Sequence, residues 1–159
     1  MEKISTIYPY SKEKLPFVAE AIGINYELKK DYENMAVWYQ KAIEQKQDSW
    51  ISHCGLGSYY SEKKMLDKAL YHYKLAYDNS PSNRNNILYE VANALNLNGI
   101  KSSELKLVKT YLSSAGFGKE DSAEIWQYMM AIETSTLKPF SHDEEKLFKD
   151  AWQEFESTK

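Results

Sequence analysis

The chain has 159 residues, 43 % of them apolar and 27 % charged, the balance of a single globular domain with a continuous core. A formal charge of −3 opposes a nucleic-acid partner, because phosphate binding needs a basic surface. Cys54 is the only cysteine, so no intrachain disulfide forms, and no apolar run reaches the roughly 20 residues of a membrane helix.

Residues 1–15 are expected to be an N-terminal arm. Ile4, Ile7, Tyr8 and Tyr10 can lie extended across the first helix, and Pro9 disfavours a helix there; a frayed terminus is the plainer reading. The opening MEKISTIYPYSKEK has no apolar core of the signal-peptide kind, and a cytoplasmic setting is expected.

Residues 16–49 read as two amphipathic helices. Pro16 suits a helix start, and Phe17, Ala21, Ile22, Tyr26 and Leu28 recur at helical spacing. Lys29, Lys30 and Asp31 make the turn, and Tyr32, Met35, Ala36, Tyr39, Ala42 and Ile43 carry the second helix. Residues 50–83 repeat this plan. A step back of 34 positions from Leu56, Gly57, Tyr60, Tyr73 and Ala76 lands on Ile22, Gly23, Tyr26, Tyr39 and Ala42. Glycine and alanine leave room between helices, and the tyrosines fill it.

Residues 84–117 follow the plan less closely. Their first helix, about 86–98, matches at an offset of 35, with Val91, Ala92 and Leu95 for Leu56, Gly57 and Tyr60. The second helix, about 101–113, returns to the offset of 34: Ile100, Ser103, Leu107 and Thr110 stand for Leu66, Ala69, Tyr73 and Ala76. The turn falls at Asn98 and Gly99, and Gly116 reads as a helix C-cap. Residues 119–159 are expected to form a divergent closing hairpin. Ile125, Tyr128, Met129 and Ile132 share a face of its first helix; Pro139 breaks the period; Ser141 and Glu144 read as a capping box. Leu147, Phe148, Ala151, Trp152 and Phe155 make the apolar stripe of the last helix.

The pattern Leu56-Gly57, Tyr60, Ala69, Tyr73, Ala76 and Pro81 resembles the tetratricopeptide (TPR) repeat family, whose period is 34 residues. The resemblance implies an all-α fold, a right-handed α-α superhelix, or solenoid, of stacked antiparallel helical hairpins. It also implies a non-catalytic adaptor or scaffold that binds a partner peptide in a concave groove. By the family's pattern the groove-facing residues are Glu20, Ile24 and Glu27; Cys54, Ser58 and Ser61; and Tyr89, Asn93 and Asn96. Their mostly neutral or acidic character suits a basic or neutral peptide. It opposes a clamp for acidic peptide tails, since Glu20 and Glu90 would repel a carboxylate. Surface-wetting polar residues are the plainer account of the same positions.

Other functions find less in the residues. His53, His72 and His142 are not spaced with other ligands as a zinc site needs, so no metal and no cofactor is expected. His53 and Cys54 are neighbours on a helix and point about 100° apart, which argues against a nucleophile–base pair. Gly55-Leu56-Gly57 lies within a helix and is explained by packing, not by phosphate binding. Trp38, Trp50, Trp126 and Trp152 are expected to pack helices. No enzyme activity, nucleic-acid partner or membrane partner is expected. The alternatives are self-association through an end of the array, giving a homo-oligomer, or a regulatory role within a longer signalling or secretion protein.

Overall fold

A computed structural model describes residues 15–45, 50–135 and 142–157. The N-terminal arm, the break around Pro139, and Ser141 with the side chain of Glu144 lie outside what is described. The regular elements among the described residues are all helical. They are α1 (Leu15–Leu28), α2 (Tyr32–Glu44), α3 (Trp50–Glu62), α4 (Leu66–Asn79), a 3-10 turn (Pro81–Asn83), α5 (Arg84–Leu97), α6 (Leu105–Ala115), α7 (Lys119–Ser135) and α8 (His142–Ser157). The chain divides into two compact units, Met1–Ser82 and Asn83–Lys159. Among the described residues no helix is long and apolar enough to cross a membrane.

In the first unit α1 pairs with α2 and α3 with α4, and α3 also packs on α2 and α1. Both hairpins turn the same way. Lys30 and Lys64, 34 residues apart, each take φ 61°, in the left-handed region. The following amides close the turn alike: Asp31 donates to Tyr26 O and Met65 to Tyr60 O, both at 2.9 Å. Such closure satisfies carbonyls that the helix end leaves open. Asp31 then caps α2, its carboxylate accepting from the Asn34 amide at 3.2 Å and from Asn34 Nδ2 at 2.7 Å. These two hydrogen bonds hold the Asp31 carboxyl below its usual range.

The core of this unit is built on Tyr39, with Met35 and Leu56, and Ile24, Tyr26, Ile43 and Tyr60 packed around them. A Cβ on Gly23 would stand 2.6 Å from the Tyr39 ring, and one on Gly55 would collide with its other edge. The ring is therefore held between α1 and α3. Gly57 stands to Tyr73 as Gly23 does to Tyr39, with 2.8 Å to the ring. The glycines thus make room for tyrosine rings, rather than for one helix backbone against another. Burying each such ring contributes about 1.5–3 kcal/mol. The Tyr39 hydroxyl donates to Glu27 Oε1 at 3.0 Å. Burial, with Glu27 beside it, raises the pKa of this phenol.

The second unit is assembled differently. The closest helix pair is α5 with α7, and α6 touches α7 more lightly. Arg84 joins the starts of α5 and α7, meeting Asp121 at 2.6 Å and Glu124 at 2.8 Å. Between α5 and α6 the connection runs from Asn98 to Glu104, longer than the three-residue turns of the first unit. Glu133 of α7 holds this segment. Its carboxylate accepts from the Ser102 amide at 2.9 Å and from Ser102 Oγ at 2.8 Å, while Trp126 Nε1 donates to Ser102 O at 2.8 Å.

The longer connection shifts α6. Its buried residues are Leu105, Val108 and Leu112, whereas Ser103, Leu107 and Thr110, the positions expected from the offset of 34, are exposed. Gly116 does end α6, with φ 95°. In α7 the inward face is Ile125, Trp126 and Met129, with Tyr128 and Ile132 only half-buried. Trp126 is fully buried and stacks on Trp152 of α8, ring centroids 5.5 Å apart and planes 6° apart. Phe155 completes this aromatic group, but Leu147 leaves the stripe and is 55 % exposed.

Candidate functional site

The sequence-predicted groove residues fall into two sets. In the first unit, Glu20 is buried and accepts from Ser52 Oγ at 3.3 Å, and Ser61 is buried too. Neither side chain is presented to a ligand, and Glu20 is turned onto Ser52 of α3. Ile24 is half-buried against the Tyr39 core, and Cys54 is half-buried. Glu27 and Ser58 are exposed, with Glu27 fixed by the Tyr39 hydroxyl.

In the second unit, Tyr89 is 45 % exposed and meets Tyr128 edge-on, with centroids 5.8 Å apart. Asn93, one helical turn further along α5, is exposed. Asn96 is half-buried and internally engaged. With its amide nitrogen toward α7 it donates to Glu133 Oε2 at 2.8 Å and to Ile100 O at 2.9 Å; the opposite orientation sets its oxygen against acceptors. Tyr89, Asn93 and Tyr128 thus form one accessible patch across α5 and α7: two rings for apolar contact and an amide that both donates and accepts. Tyr128 was expected on the packing face, and only its partial exposure identifies it here.

The histidines depart from their expected isolation. His53 Nδ1 and His72 Nδ1 lie 3.3 Å apart, joining α3 to α4. His53 stands 11 residues before Lys64 and His72 stands 8 after it, on the two facing helices of one hairpin. His53 is buried, His72 is half-buried, and the Tyr60 ring stacks on His72. Burial, then His53 and Lys68 nearby, push the His72 pKa down to about 4, so the ring is neutral at physiological pH. A pocket of about 560 Å³ opens beside the pair, lined by Gln40, Ile43, Tyr71, Leu75 and Asn79 as well as both histidines. Among the described residues no three His, Cys, Asp or Glu side chains gather as a metal-ligand set.

A second pocket, about 580 Å³, lies between α7 and α8. Trp126, Met130, Phe148 and Trp152 supply its apolar wall, and Gln127, Glu145, Lys149 and Gln153 its rim. Lys149 and Glu145 pair with each other at 2.9 Å, so the rim carries little net charge.

No known protein family, curated protein or solved structure matches the chain.

Proposed function

We propose that the chain is a tetratricopeptide-like interaction module, a short right-handed superhelix of stacked hairpins that binds a partner peptide without catalysis. The repeat reading is supported by the glycine–tyrosine contact that recurs 34 residues apart, Gly23 with Tyr39 and Gly57 with Tyr73. The binding reading is carried by one observation: Tyr89 is 45 % exposed, beside Tyr128 and the exposed Asn93. A neutral surface of this kind selects a partner by shape and hydrogen bonding rather than by strong charge. Capture from native extract by wild type, with Tyr89→Ala/Asn93→Ala as the control, tests it. Loss of the partner by a variant that melts like wild type supports the patch; equal capture by both removes it.

Self-association is the second reading, favoured by the apolar groove of Phe148 and Trp152 and by the exposed Leu147 on α8. Light scattering over a range of concentrations separates the two. A mass that rises in wild type and not in Leu147→Glu supports assembly through α8. Leu147 is a cleaner probe than Trp152, which is stacked on Trp126.

A further inference from the structure

We propose that His53 and His72 form a two-imidazole site for a divalent transition-metal ion of the zinc type, reached through the pocket beside them. The inference is independent of the partner-binding reading. Two nitrogens bound about 2.0–2.1 Å from one tetrahedral ion stand about 3.3–3.4 Å from each other. The two Nδ1 atoms are 3.3 Å apart. Their ring centroids are 5.5 Å apart and the planes differ by 26°, so the Nδ1 edges face one another. For one ion to take both lone pairs, each ring must turn off the direct Nδ1–Nδ1 line so that the lone pairs meet at one side of the pair. Each imidazole then carries its proton on Nε2, and the metal replaces the contact between the two nitrogens.

The surroundings favour this chemistry and limit its strength. Gln40 and Asn79 line the same pocket and offer side-chain carbonyl oxygens, with water, for the remaining positions. Ile43 and Leu75 wall one side with apolar surface. Lys68, from α4, is the cation that bears on His72, and no carboxylate lines the pocket. The site therefore offers nitrogen to ions that prefer imidazole, and only neutral oxygens to hard oxygen-seeking ions.

The test uses the full chain with millimolar ZnCl2, and MgCl2 as the control. Zinc is expected to raise Tm by a few degrees and to shift the Nδ1 resonances of His53 and His72, leaving those of exposed His142 in place; magnesium does neither. His72→Phe keeps the ring stack and loses the zinc response. Should that variant fail to fold, the wild-type imidazole resonances decide alone. Unmoved Nδ1 resonances in millimolar zinc, or a Tm rise that survives in folded His72→Phe, would overturn the proposal.

Discussion

The ring of Tyr39 occupies the space that a side chain on Gly55 would need. This contact joins α2 to α3, so it is where the second hairpin is seated on the first. Gly55→Ala is expected to destabilise the chain by about 3 kcal/mol, although alanine favours a helix by about 1 kcal/mol over glycine. Tyr39 is fully buried and has no free side to move towards. Denaturant unfolding measures the change; an unaltered or raised midpoint would show that the ring is not clasped.

Lys30 and Lys64 hold a backbone conformation that suits glycine. Lys30→Gly and Lys64→Gly are each expected to stabilise by about 0.5–1 kcal/mol, as the relief of left-handed strain exceeds the added freedom of the unfolded chain. Met65 stands where Asp31 caps the first hairpin, yet makes no side-chain cap. Met65→Asp should add about 0.5–1 kcal/mol by supplying one. Thermal melts of the three variants check both claims.

Stability depends on pH through His72. Its folded pKa, about 4, lies below the ordinary 6.5, so between these values the unfolded chain binds the extra proton. Stability is then complete above pH 6.5 and is lost as pH falls towards 4. The loss is on the order of 2 kcal/mol, discounted because part of the ring meets solvent. His72→Phe should flatten this part of the curve. A wild-type curve that is already flat there would mean that His72 is not sheltered.

Glu133 anchors the segment before α6. Glu133→Ala leaves the fully buried Ser102 without its acceptor and is expected to cost about 1–3 kcal/mol. Hydrogen exchange should quicken most at the Ser102 amide. Unchanged exchange there would place the anchor elsewhere.

These side chains also mark how far the sequence was legible. In residues 16–83 the spacing of Gly23, Tyr39, Gly57 and Tyr73 located the helices and turns, because each contact there is made within a hairpin or with the next one. Beyond Asn98 the pattern misplaced α6. Leu105, Leu107, Val108 and Leu112 offer apolar residues on two faces, and the choice between them is made by Glu133 and Trp126, far along the chain. Glu20 and Ser61 fall at groove positions by the family's pattern, yet both are buried, Glu20 where α1 approaches α3 and meets Ser52. His53 and His72 were read singly, since nothing in a one-dimensional pattern sets the facing of two rings on separate helices.

The most direct measurement is the amide-resonance footprint of a partner segment, recovered by capture, on the labelled chain. If the Tyr89 patch is the binding surface, the largest shifts fall at Tyr89, Asn93 and Tyr128 and are lost in Tyr89→Ala/Asn93→Ala. A footprint confined to Phe148 and Trp152, with the Tyr89 patch silent, would contradict it.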